Sequence, residues 1–128
     1  MHIILRMVAT VRHRFWSVVT GADIPLNCRL GGGLALPHPN GIVIHPNARI
    51  GPNCMILQQV TIGTRDDGLP TVGGHVDFGA GAKVLGNLII GNHARIGANA
   101  VVLSDVPEHA TVVGIPARVV SAGAKRNP

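Results

Sequence analysis

Large aliphatic residues recur along this chain at every sixth position. From Val72 onward it divides into VGGHVD, FGAGAK, VLGNLI, IGNHAR, IGANAV and VLSDVP, headed by Val72, Phe78, Val84, Ile90, Ile96 and Val102. The fifth position of each hexad is mostly small: Val76, Ala82, Leu88, Ala94, Ala100 and Val106. Glycine follows the head residue at Gly73, Gly79, Gly91 and Gly97. The same phase runs upstream from Ile44, Ile50 and Ile56 and opens again at Ile62, and a looser set starts at Ile24, Leu30 and Leu36. A helix would space apolar residues by three and four, and a simple strand by two. A large aliphatic with a small residue four later fits a short flat strand followed by a corner.

Three such sides close a triangular coil of eighteen residues, and coils stack at about the 4.8 Å strand spacing. The repeat therefore predicts an all-β chain, the hexapeptide form of the parallel β-helix. In such a solenoid each coil is stabilised mainly by its neighbours. Residues 1–22 stand apart as a short helix with a broad apolar stripe of Ile3, Ile4, Met7, Val8, Val11, Phe15, Val18 and Val19, interrupted by Arg6, Arg12, His13 and Arg14. Two roles are open to it: capping the open end of the solenoid, or lying on a membrane surface or a partner. Coils are expected over 23–120. Ten residues, rather than six, separate Ile62 from Val72, and GTRDDGLPT is rich in turn formers, so one loop should be extruded from a corner. Residues 121–128 form a polar tail.

Composition agrees with a single domain of 128 residues. The 17 glycines and 9 prolines suit a chain that turns every six residues, and three aromatics suit a core narrow for rings. No apolar run approaches the roughly 18 residues of a membrane span, and no secretory signal is evident, so the expected location is cytoplasmic, with the inner membrane face as an option through the helix. Cys28 and Cys54 fall on inward fifth positions and read as buried free thiols. The net charge of +5 does not indicate nucleic acid, because the basic residues are spread out and base-stacking aromatics are scarce. It suits a polyanionic small ligand.

The strings GADIPLNCRLGGGLALPHPNGIVI, ILQQVTIG, GAGAKVLGN and IGANAVVLSDVPEHATVVGIPARVV resemble the left-handed β-helix acyltransferases, and within them the serine O-acetyltransferase-like group. The resemblance covers about three quarters of the chain. It implies a left-handed helix, a homotrimer, and acetyl-CoA as donor substrate in a groove between two subunits, with a hydroxyl compound as acceptor. It also implies a histidine general base held by an aspartate fifteen residues earlier, which in this sequence are His38 and Asp23. Neutral imidazole suits removal of a hydroxyl proton near neutral pH, and a carboxylate would orient the ring and stabilise the imidazolium. For the donor, Gly63 and Thr64 at the loop and the stacked small pair Ala80 and Ala98 are candidates for the pantetheine arm. Arg118 is the first candidate for the phosphates, or else a cap on the last coil, with Lys83, Lys125 and Arg126 behind it.

His45 and Arg65 are weaker candidates for touching the acceptor. His75 and His93 occupy outward fourth positions. A γ-type carbonic anhydrase places three metal histidines on this kind of solenoid, but it needs two of them five apart. Here the gaps from His38 through His45, His75 and His93 to His109 are 7, 30, 18 and 16, and no metal is expected. The resembled enzymes carry an aspartate before the catalytic histidine, where this chain has Pro37. They carry Arg-His-Pro in the loop, where this chain has Gly68, Leu69 and Pro70. Without that arginine a two-pronged grip on an amino-acid carboxylate is hard to assemble. The expectation is an acetyl-CoA-dependent O-acetyltransferase acting on a sugar or glycan hydroxyl, as in surface polysaccharide biosynthesis. L-Serine O-acetylation is the alternative, and a non-catalytic trimeric scaffold the outsider.

Overall fold

The aliphatic at the head of each hexad turns inward, and the architecture follows from that. In the computed structural model, which describes residues 2–25 and 28–121, Ile44, Ile50, Ile56, Ile62, Val72, Phe78, Val84, Ile90, Ile96 and Val102 are all buried, as are the small residues between them. The described elements are α1 (His2–Thr20), β1 (Arg29–Leu30), β2 (Val43–Ile44), β3 (Arg49–Ile50), β4 (Met55–Ile56), β5 (Thr61–Gly63), β6 (Thr71–Val72), β7 (Asp77–Phe78), β8 (Lys83–Leu85), β9 (Ile89–Ile90), β10 (Arg95–Ile96), β11 (Val101–Val102), β12 (Thr111–Val113) and β13 (Arg118–Ser121). They form a parallel β-helix of about five coils.

Its three sides are three sheets. Sheet I is β2–β5–β8–β11, sheet II is β1–β3–β6–β9, and sheet III runs β4–β7–β10–β12–β13. The chain passes from I to II to III and back to I. Register shows where the repeat departs from eighteen. Thr71 pairs Ile89 and Lys83 pairs Val101 at the ideal spacing. Asp23 bridges Val43 and Ala35 bridges Met55 at twenty, so the turn Pro37–Gly41 holds two extra residues. Thr61 pairs Lys83 at twenty-two, which is the extruded loop. Arg95 pairs Thr111 at sixteen.

That last spacing corrects the reading of Val106 as a fifth-position residue. Val106 bridges Ile90 and takes the head position itself, so only four residues separate it from Val102. The Asp105 carboxylate then accepts from the Ile89 amide at 2.8 Å, replacing a ladder bond that the shortened side cannot supply. The core also accepts one ring, contrary to the narrowness expected: Phe78 is wholly buried between Ile56 and Ile96 in register. After the loop, Pro70 fills the inward slot ahead of Val72.

The corners need unusual backbone. A left-handed residue recurs in each coil at the edge between sheets II and III (Gly33, Asn53, His75, His93, His109) and at the edge between sheets III and I (Gly41, Gln59, Gly81, Asn99). At Gly81 a Cβ would lie 2.1 Å from the Asn99 carboxamide oxygen of the next coil, so the Asn99 side chain would have to move to admit one. At Gly91, in the second hexad position, a Cβ would meet the Glu108 amide nitrogen at 2.4 Å. At the upper end β13 folds back antiparallel on β12, covering an otherwise open edge.

At the lower end α1 does not cap the solenoid with its apolar stripe, the first of the two roles open to it. None of its residues is buried, and the partly covered ones are the polar His13, Ser17 and Thr20. His13 Nε2 lies 2.5 Å from the Ile24 carbonyl oxygen, fixing the helix to the first coil. Ser121 ends β13, and the rest of the polar tail lies outside the described residues.

Asn99, with φ of 57°, tests the corner rule. Asn99→Gly should change thermal stability little, whereas Asn99→Val should cost about 1–2 kcal/mol more, because a branched side chain opposes the left-handed conformation. Equal melting temperatures for the two variants would contradict it.

Candidate functional site

The edge between sheets III and I gathers most of the candidate residues. His38 sits on its lowest and widest corner, in the enlarged turn, with its ring exposed. Asp23 follows the same edge one coil below. Its amide donates to the Ile42 carbonyl at 2.7 Å and its carbonyl accepts from Ile44 at 3.0 Å. These bonds fix the Asp23 backbone under Val43 and leave its carboxylate on the outer surface of sheet I. The ion pairs among the described residues are Arg95–Asp77 and His109–Glu108. Asp23 and His38 therefore share an edge without an ion pair between them, and among the described residues neither side chain makes a hydrogen bond.

Higher on this edge Ala80 and Ala98 stack as the sequence suggested, but not as open backbone: the Ala80 carbonyl accepts from the Asn99 amide at 2.8 Å. Lys83 begins the next strand of sheet I, and its ammonium donates to the Gln59 carbonyl oxygen. Arg118 lies near the top of the edge in β13, exposed, with its guanidinium donating to the Ala117 carbonyl at 2.9 Å. Lys125 and Arg126 lie outside the described residues.

The other candidates occupy a different edge, between sheets I and II. Gly63 ends β5, and its carbonyl accepts from Gly86 at 3.2 Å. The Thr64 hydroxyl donates to the Arg65 carbonyl at 3.0 Å. Arg65 and Gly68 exchange backbone hydrogen bonds at 3.1 and 3.0 Å, and the Asp67 carboxylate accepts from the Asn87 amide at 3.2 Å. The extruded loop is thus folded back on the next coil, presenting the exposed Arg65. His45 is also on this edge rather than in the region of His38. Its Nδ1 accepts from the Asn47 amide at 3.1 Å, leaving Nε2 to carry the proton in the neutral ring.

A feature that the spacing revealed only in part, through His75 and His93 eighteen apart in adjacent coils, lies on the third edge. His75, His93 and His109 form a column of parallel rings, with centroids 4.7 and 4.8 Å apart and interplanar angles of 9° and 1°. The spacing of sixteen concealed the third member, because only the shortened top coil brings His109 over His93. Face-to-face stacking keeps the ring nitrogens parallel rather than converging. Among the described residues no group of three or more histidine, cysteine or acidic side chains is placed to hold a metal.

Both cysteines behave as expected of inward fifth positions, Cys54 more completely than Cys28. The Cys54 thiol lies 3.3 Å from the Gly73 carbonyl oxygen, and burial pushes its pKa up. Burial also raises that of Cys28, with the Asp23 carboxylate adding to the effect.

Comparison with known proteins places these residues in context. No family model matches the chain. It is 49% identical over 107 residues to the serine acetyltransferase of Synechococcus elongatus, covering 80% of this chain and 44% of that protein. A structure of Neisseria gonorrhoeae serine acetyltransferase in complex with serine superposes with a TM-score of 0.76 at 48% identity, over 80% of this chain and 43% of that one. Serine acetyltransferase from Brucella abortus in complex with coenzyme A gives a TM-score of 0.80 at 38% identity, over 84% and 45% respectively. The chain spans about half the length of the curated relatives it matches. No helix among the described residues is long and apolar enough to cross a membrane.

The raised thiol pKa values hold both cysteines in the unreactive protonated form at neutral pH. In native protein at pH 7.5, Cys54 should resist a disulfide-exchange reagent until denaturant is added. Cys28 should label slowly, and faster as pH rises past the range in which an exposed thiol ionises. Prompt labelling of both at neutral pH would overturn that assignment.

Proposed function

The chain is a homologue of the serine acetyltransferases over the stretch it shares with them, and from that premise we propose that it is an acetyl-CoA-dependent O-acetyltransferase with His38 as general base. The observation that carries this is an exposed imidazole on the widened corner, on the same edge as Asp23 one coil below. His38 takes the proton of the acceptor hydroxyl as its oxygen attacks the thioester carbonyl. The tetrahedral adduct then collapses, breaking the C–S bond, and the departing thiolate recovers the proton from the imidazolium. The products are an O-acetyl ester and free coenzyme A. Asp23 steadies the imidazolium as the acceptor seats against it.

The proposed acceptor is L-serine. The relatives, named as serine acetyltransferases, favour it over the sugar hydroxyl expected from the sequence. Serine brings a carboxylate that must be paired on entering a partly desolvated cleft, and among the described residues the cations of the His38 edge, Lys83 and Arg118, stand on coils above it. Arg65 is the available cation, but it stands on the edge between sheets I and II. A complete site would then need the His38 edge of one subunit and the Arg65 edge of another, which is the reason to propose a homotrimer with the donor groove between subunits. Arg118 remains the proposed phosphate contact. A sugar acceptor is the second reading, favoured by Pro37 beside the base and by Gly68 and Leu69 in the loop.

Thiol release from acetyl-CoA, measured with L-serine, monosaccharides and nucleotide sugars, decides between these. L-Serine should support turnover, and His38→Ala should reduce it about 10²- to 10⁴-fold with the oligomer unchanged. Turnover with sugars alone would transfer the conclusion to the second reading, and full activity in His38→Ala would remove the base from this position. Arg65→Ala should raise KM for serine at least about tenfold with kcat little changed, as expected for loss of uniform binding. An unaltered KM would place the carboxylate grip elsewhere.

A further inference from the structure

Helix α1 is mounted with its amphipathic faces reversed relative to the solenoid. The partly covered side chains are His13, Ser17 and Thr20, spaced four and three apart along one polar stripe. The opposite stripe points away from the protein: Val8 is 52% exposed, Phe15 59%, Val11 66% and Val18 84%, with Ile4 and Met7 between these extremes. A helix whose polar side holds the body and whose apolar side is bare has its hydrophobic partner outside the chain.

The distribution of charge says what kind of partner. Residues 23–121 contain six lysines and arginines and six aspartates and glutamates, and are neutral as a unit. The +5 of the chain therefore comes from Arg6, Arg12 and Arg14 in the helix and Lys125 and Arg126 in the tail. No acidic residue occurs in 2–20. At 100° per residue, Arg12 and Arg14 fall on the two borders of the apolar stripe, where long side chains can reach up to phosphate groups while the apolar face sinks below them. A second copy of the helix is a poor fit, because its arginines would line the same seam with no acid to meet them.

We propose that α1 docks the protein flat on an anionic lipid bilayer, with its apolar face in the headgroup–acyl boundary and the solenoid held above on the polar face. The helix is too polar to span, as the absence of any membrane-crossing helix among the described residues agrees, and its composition is that of an interfacial segment. This proposal is independent of the acceptor and of the acetyl-transfer chemistry.

The chain reports on itself, since Trp16 is its sole tryptophan and it has no tyrosine. The full chain should co-sediment with phosphatidylcholine vesicles containing about a third phosphatidylglycerol, with a blue shift of Trp16 emission, and bind pure phosphatidylcholine far less. The double variant Val11→Glu/Phe15→Glu should lose at least about tenfold in binding while melting at the wild-type temperature, since both side chains are largely exposed. Arg12→Ala and Arg14→Ala should each weaken binding about fivefold, and less so at high salt. Two results would overturn the proposal. One is failure of the wild type to bind anionic vesicles, including the case in which light scattering finds an oligomer that the double variant dissociates. The other is equal binding of both vesicle types.

Discussion

Everything in this molecule depends on one coil lying flat against the next. The backbone of each coil donates to the carbonyls of its neighbour at corners as well as along the short strands, as in Gly91 to Val106 and His109 to Asn92. Strands of two or three residues would be negligible alone; stacked in registered columns they close a core in which every buried side chain among the described residues is apolar. The demand for close approach explains the glycines after the head residues, and the demand for a sharp turn explains the left-handed asparagines and histidines. Insertions are tolerated only where they leave the stack, at the His38 turn and at the loop carrying Arg65. Those two places carry the proposed base and the proposed carboxylate contact.

The periodicity made the fold legible because the same constraint acts on every coil. Head residues, inward small residues and the extruded loop could be read directly from spacing. What spacing alone could not show were changes of coil length offset by other groups. The loss of two residues in the last coil was hidden because Val106 is equally acceptable as a head or a fifth-position residue, and because the Asp105 side chain stands in for backbone. The histidine column was hidden with it. The role of the helix stayed open for a different reason: an apolar stripe in a sequence says that a face will be covered, and does not say by what.

The candidate site was legible residue by residue and not as an assembly. His38 and Asp23 share one edge, whereas His45, Gly63, Thr64 and Arg65 share another. A one-dimensional repeat carries no information on how edges of separate copies meet, so a site divided between edges cannot be assembled from the spacing of one chain. Nor does spacing show which atoms of the candidates the fold itself engages. Ala80, Gly63 and Lys83 each have at least one hydrogen-bonding atom engaged within the fold.

The stacked imidazoles have a consequence of another kind. His93 lies between two parallel rings at nearly equal distances, so the circulating π electrons of both neighbours shield its carbon-bound protons together. Those resonances should be displaced upfield relative to the outer pair, and the displacement falls steeply as rings separate. The column is thus a built-in nuclear-magnetic gauge of coil spacing, readable without labels at one edge of the solenoid, where slight fraying of the last coil would register at His109 before it reached His75.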